Sequence, residues 1–265
     1  MLKKILTFFI LITSNCIALE FEGKFIQGHF IIGKTDPKSK IWIDKKKVKV
    51  TNDGYFAFGI GRDRKYDVII TKELNGKKEN IVKKVQKRKY KIQRIDGLPE
   101  KKVTPPKELY ERIKRENRII ANARSIESDL TFFKKEFIAP LENAIITGVY
   151  GSQRILNGKP KWPHYGIDFA AKEGTKIKAM LDGTATMVEP DLFYTGGTLI
   201  FDHGHGISTL YMHMQKIFVK KGQKVKQGEI IGTVGSTGRS TGPHLDVRLN
   251  WFNVRLDPAT VLKLK

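Results

Sequence analysis

The 265 residues carry 49 Lys+Arg against 27 Asp+Glu, a net charge of +22, with 40% hydrophobic and 10% aromatic residues. That length leaves room for two domains, and that apolar content excludes a wholly disordered chain. The single cysteine, Cys16, excludes a disulfide framework and a cysteine metal site, so any chemistry must use oxygen and nitrogen groups.

In chain order, Lys3 and Lys4 precede an apolar run from Ile5 to Ile12, and Cys16-Ile17-Ala18 places small residues where a signal peptidase reads them. This predicts an export signal over residues 1–18, cleaved after Ala18, and a periplasmic or envelope-associated protein. The apolar run is shorter than the roughly 20 residues that span a bilayer. An uncleaved anchor and a buried first strand are the competing readings. The charge is uneven: residues 1–126 hold 31 Lys+Arg and 14 Asp+Glu, residues 127–265 hold 18 and 13. A basic exported segment suits an anionic wall polymer or a membrane surface, though a simply solvated basic face explains it as well. Nucleic acid is not the expected partner of an exported chain.

Residues 19–100 read as short strands: Phe25 to Ile32, Lys40 to Val50, Tyr55 to Phe58 and Tyr66 to Ile70. Turn signals at Asp36-Pro37, Asn52-Asp53-Gly54 and Asn75-Gly76 divide them, which predicts a small β-sandwich. Residues 101–126 follow as a linker and helix. Thr104 can cap that helix with Pro105 in its first turn, and Leu109, Ile113 and Ile120 recur at helical spacing as far as Ser125. From Ile138 onward glycine-punctuated strand runs (Ala144 to Val149, Thr184 to Val188, Thr198 to Phe201, Ile207 to Tyr211, Ile230 to Val234) predict an all-β domain over residues 127–265.

Five of the six histidines lie in that domain. His164-x-x-x-Asp168 offers two ordinary zinc ligands, but on a straight strand they would stand about 13 Å apart, so a bend is needed and Gly166 permits one. His244 and Asp246, two apart on a strand, face the same side. His213 ends the run Tyr211-Met212-His213. His203 and His205, in Asp202-His203-Gly204-His205-Gly206, fit a tight turn better than a ligand pair.

Taken in order, His164-x-x-x-Asp168, Asp202-His203-Gly204, Tyr211-Met212-His213, Gly222 to Gly232 and Thr241-Gly242-Pro243-His244-Leu245-Asp246 resemble the lysostaphin/LytM-type zinc endopeptidases over about residues 138–260. The resemblance implies a mainly β chain whose C-terminal LytM-like antiparallel β domain follows the small β-sandwich and linking helix. It also implies Zn²⁺ as cofactor, peptidoglycan peptide bridges as substrate, His164 and Asp168 as metal ligands, and His213 and His244 as catalytic histidines. Those enzymes read His-Leu-His in the last motif and use the second His as a ligand; here that position is Asp246. An aspartate oxygen reaches about as far from Cβ as a histidine Nδ1, so Asp246 can be the third ligand. Two carboxylates would then cancel the charge of the ion and weaken its pull on a water proton. Alternatively Asp246 is a strand residue paired with Arg248, and the domain is a degenerate one that binds the wall or activates another hydrolase.

Overall fold

The computed structural model describes residues 18–143 and 145–263; Lys3, Lys4 and Cys16 of the expected export signal lie outside them. The strands in the first part are β1 (Glu20–Glu22), β2 (Phe30–Lys34), β3 (Lys40–Ile43), β4 (Lys46–Val48), β5 (Tyr55–Gly59), β6 (Val68–Leu74), β7 (Lys77–Lys83) and β8 (Ile92–Ile95). Helices α1 (Glu100–Val103) and α2 (Tyr110–Arg124) follow. The second part contains β9 (Ile145–Gly148), β10 (Gln153–Leu156), β11 (Lys159–Pro160), β12 (Ile167–Ala170), β13 (Lys176–Lys178), β14 (Gly183–Leu192), β15 (Gly196–Gly204), β16 (Ile207–Ile217), β17 (Lys224–Val225), β18 (Ile230–Val234), β19 (His244–Trp251) and β20 (Val254–Leu256). The chain is mainly antiparallel β, as its composition and turn signals lead one to expect.

The first part forms two small sheets, β1-β2-β5 and β4-β3-β6-β7. Alternation explains the second: Ile41, Ile43, Val48, Val68 and Ile70 point inward and are buried, while Ile69 is exposed. Asn75 and Gly76 both take positive φ (51° and 77°), the requirement of the two-residue hairpin that joins β6 to β7. β8 departs from the expected sandwich. It pairs in parallel with β10, Ile92 opposite Gln153 and Ile95 opposite Leu156, so residues 92–95 extend a sheet of the C-terminal half.

The two halves share one core. Phe58 stacks edge-on against Trp251 at 6.4 Å and Phe30 against Phe137 at 6.3 Å. The backbone at Gly59 lies so close to Leu256 that a Cβ there would approach its Cδ2 to 2.3 Å. Arg88 reaches across to Asp257 at 2.7 Å. Such a continuous apolar junction holds the halves together more firmly than a polar interdomain contact would.

The helix begins later than the capping signal suggests. Thr104 closes α1 by donating its N–H to the Glu100 carbonyl at 2.7 Å, because the residue before Pro105 is pushed out of the helical region. A 3-10 turn over Lys107–Leu109 then leads into α2. α2 lays Ile119, Ile120 and Ala123 against Met187, Leu192, Ile200, Leu210 and Met212 of the large sheet. Buried Glu116 fixes it there, accepting from the Phe193 amide at 2.8 Å and from Arg112 Nε at 2.6 Å.

The large sheet runs β17-β14-β15-β16-β19-β12-β9, with β13, β18 and β20 beside it. The turn between β15 and β16 contains His205 at φ 52° and Gly204 at φ 97°, a tight turn rather than a ligand loop. His203 is fully enclosed, its Nδ1 donating to the Asp182 carbonyl at 2.7 Å and its Nε2 accepting from Thr209 Oγ1 at 2.8 Å. Burial pushes this imidazole down to about 4. Folded His203 therefore refuses a proton that the unfolded chain accepts at its ordinary value of 6.5. Its contribution to stability is complete above 6.5, is lost as pH falls toward 4, and falls no further below that. Replacing His203 by Gln should flatten the fall of the urea midpoint between those two pH values; equal slopes in both proteins would contradict this.

Candidate metal centre

β12 and β19 pair antiparallel with Asp168 directly opposite Asp246, so sheet register alone places both carboxylates on one face. His164 lies just before β12, held by its own N–H to the Ser152 carbonyl at 2.8 Å and by the Gly151 N–H to its carbonyl at 2.7 Å. Its Nε2 stands 3.1 Å from Asp168 Oδ1 and 3.3 Å from Asp246 Oδ2. Each of the three offers one donor atom within 4.8 Å of the others, and all three are buried. Gly166 matters here for a different reason from the expected bend. Its φ is not in the left-handed region, but a Cβ would come within 2.3 Å of Asp246 Oδ1 and 2.4 Å of the Val247 carbonyl. Only glycine lets the His164 loop pass this close.

The charges explain how two carboxylates stay buried together. Arg248 grips Asp246 with Nη2 to Oδ2 at 2.9 Å and Nε to Oδ1 at 3.2 Å, and Arg154 Nη2 donates to Asp168 Oδ2 at 2.5 Å. Burial alone would raise both carboxyls and lower the imidazole. Arg248 and His164 outweigh it and hold Asp246 well below the carboxylate range, while the His164 hydrogen bond keeps Asp168 down. For His164, burial is outweighed by Asp246 and Asp168, which lift it above its ordinary value. The expected Asp246–Arg248 pair is therefore present, and it coexists with the convergence of Asp246 on His164.

The residues fit a divalent ion. Asp168 Oδ1 is buried and faces His164 Nε2 with no other partner among the described residues, and one imidazole with two carboxylates is a donor set that zinc accepts. Arg154 holds the Asp168 oxygen turned away from His164, and Arg248 holds both oxygens of Asp246, in the manner of groups that orient metal ligands.

His213 and His244 meet at a ring-centroid distance of 4.6 Å. His244 shares the face of Asp246 by simple alternation on β19. His213 does not: Met212 is the residue opposite Asp246, so a regular strand would send its neighbour to the other side. Instead β16 is irregular there, its pairing to β15 shifting between Leu199 and Gly197, and His213 takes φ 62°. The left-handed backbone re-aims the ring toward His244. Its Nδ1 donates to the Thr237 carbonyl at 2.8 Å, and burial, with help from His244, pushes it down to about 4. His244 Nδ1 donates to the Gly242 carbonyl at 2.8 Å. Each ring keeps Nε2 free of these bonds. Arg154 and Arg239, absent from the motifs, also line the cleft of about 770 Å³ beside His164; no spacing signal ties either arginine to the histidines.

Fold and site together define a β-sheet domain carrying a candidate metal centre of one histidine and two aspartates. Residues 162–258 match the model of peptidase family M23. Among curated relatives, the peptidoglycan DD-endopeptidase ShyA of Vibrio cholerae is 46% identical over 87 residues, 33% of this chain and 20% of that one. ShyC of the same organism, also named a peptidoglycan DD-endopeptidase, is 36% identical over 131 residues, 48% of this chain and 30% of that one. A crystal structure described as an M23 peptidase from Pseudomonas aeruginosa superposes with a TM-score of 0.69 at 24% identity, covering 90% of this chain and 95% of that one, which establishes the shared fold. This chain spans less than a third of the length of the two curated relatives.

Replacing Arg248 by Met should leave Asp246 uncompensated and destabilise the metal-free protein by about 3 kcal/mol. Added zinc should recover part of this loss, because the cation takes over the compensation. Urea unfolding with and without zinc checks it, and a deficit that zinc leaves unchanged would place Asp246 outside the metal's reach.

Proposed function

We propose that this chain is an exported, zinc-dependent endopeptidase that hydrolyses peptide cross-links of bacterial peptidoglycan. The observation that carries the reading is the convergence of His164, Asp168 and Asp246 in a domain that also brings His213 and His244 to 4.6 Å of one another. The M23 match and the names of the Vibrio relatives support the substrate class. Export rests on the basic and apolar start of the chain, and contact with anionic wall polymer on the charge of residues 1–126.

His164, Asp168 and Asp246 would hold a zinc ion, which would supply Lewis-acid polarisation of a scissile carbonyl and lower the pKa of a water. The chain's own residues do the rest. Arg154 and Arg248 draw carboxylate charge away from the ligands, which offsets the loss of Lewis acidity that two aspartates would cause. His213, neutral near pH 7, has Nδ1 committed to the Thr237 carbonyl, so Nε2 is the atom that can accept a proton. His244, anchored the same way on Gly242, presents Nε2 to take up a proton, and the protonated ring can then stabilise developing negative charge or pass that proton to the leaving amine.

One observation favours a second reading, a degenerate domain that binds the wall or activates a separate hydrolase. Arg154 and Arg248 already neutralise both carboxylates without an ion.

Metal analysis of the purified protein with digestion of cross-linked peptidoglycan decides between them. We expect about one zinc per chain and cleavage that a chelator abolishes. No zinc bound and no cleavage with any metal tried would sink the peptidase reading. His213→Ala should retain zinc and lose on the order of 100-fold in turnover. Asp246→His should bind zinc more tightly, and an unchanged affinity would show that Asp246 is not a ligand.

A further inference from the structure

The cleft beside His164 is lined by five arginines, Arg124, Arg154, Arg239, Arg248 and Arg255. Two of them are spoken for by Asp168 and Asp246. Among the described residues, Arg124, Arg239 and Arg255 have no carboxylate partner. Arg124 is 6% exposed, its Nε has no hydrogen-bond partner, and its Nη2 reaches only the Asn253 amide oxygen at 3.3 Å. Arg239 lies over the Tyr194 ring at 4.5 Å and makes one long bond, 3.4 Å, to the Lys102 carbonyl. Arg255 makes one at 3.3 Å to Asn250 Oδ1. Burial lowers both Arg239 and Arg255, the latter to about 10, with no carboxylate to offset it.

Guanidinium groups drawn out of water, fully as Arg124 or partly as Arg239 and Arg255, are costly unless an anion completes them. We propose that this cleft is an anion subsite that takes a carboxylate of the substrate peptide, bound by Arg124, Arg239 and Arg255 beside the metal centre. A carboxylate fits better than a phosphate polymer for two reasons. The planar guanidinium fork matches a carboxylate in bidentate fashion. The cleft also has an apolar side, Ile113 and Ile120 of α2 facing Leu210 and Met212, which suits a short peptide rather than a sugar-phosphate chain. Its volume of about 770 Å³ is that of a small-ligand or short-peptide site. The proposal rests on the peptidase reading for the identity of the peptide, but not for the binding itself. It assigns the three arginines to substrate selection: a free carboxylate near the scissile bond becomes a requirement, and amidation of that group a means of resistance.

The test is calorimetric binding to the metal-free full-length protein, where no turnover occurs and no ion can capture the carboxylate. The probes are a cross-linked peptidoglycan peptide with free carboxylates, the same peptide with those groups amidated, and inorganic phosphate. The free form should bind at least tenfold more tightly than the amide, and Arg239→Gln and Arg255→Gln should each weaken it by about tenfold while leaving the amide unaffected. Circular dichroism confirms that each variant is folded, and Arg239→Lys gives a milder replacement that should recover only part of the affinity. Equal binding of the two peptides would overturn the proposal, as would phosphate binding more tightly than the free peptide. Preferential binding without cleavage after zinc loading would sink the peptidase reading and leave the subsite standing. Cleavage of both peptides with equal affinity would do the reverse.

Discussion

Two carboxylates that face each other across adjacent antiparallel strands, both out of water, repel one another unless cations are packed around them. Asp168 and Asp246 are such a pair, and the surroundings of the site are arranged to make their burial possible. Arg154 closes on Asp168 Oδ2 while His164 faces its Oδ1, and at Asp246 both Arg248 and His164 converge on Oδ2. Glycine makes the room: a Cβ at Gly148 would lie 2.1 Å from Asp168 Oδ2, and one at Gly166 2.3 Å from Asp246 Oδ1. The site is therefore a balanced set of charges before any ion enters it, and an entering ion must displace or share that balance.

This balance links structure to chemistry. A histidine at position 246 would bring no charge and would need no Arg248; the aspartate and the arginine make sense as a pair. With the pair in place, the arginines would set how much negative charge the two aspartates pass to a bound metal, and so how acidic a water there would become. Further arginines around the centre meet no acid among the described residues, which turns a local compensation into a positively charged cleft. α2 walls this cleft, and Glu116 locks α2 to the sheet through the Phe193 amide.

Much of this was legible in the residues, for physical reasons that differ from part to part. The glycine-punctuated apolar runs of the second half predicted its strands, the central ones being buried on both faces, and Asn75-Gly76 announced the β6–β7 hairpin because few other pairs tolerate two positive φ values. The ordered motifs located His164, Asp168, His213, His244 and Asp246, which the fold brings to one region. What the residues hid depends on long-range pairing. The parallel match of Ile92–Ile95 with Gln153–Leu156 joins segments some sixty residues apart and leaves no local mark. Thr104 carried a valid capping signal, but Pro105 and Pro106 postponed the helix. His213 reaches His244 only through a left-handed backbone at a bulge, and strand periodicity would have pointed it the other way. Arg154 and Arg239 came to the site from separate loops and strands, with nothing in their spacing to predict it.

Asp246, held by Arg248, is proposed as the third metal ligand. X-ray absorption at the zinc edge of the zinc-loaded protein tests this most directly. Ligation by His164, Asp168 and Asp246 predicts a first shell of oxygen and nitrogen at about 2.0–2.2 Å with the outer-shell scattering of a single imidazole. A shell with two or more imidazoles would show that His213 or His244 coordinates zinc in place of Asp246, and zinc bound without any imidazole would contradict the site altogether.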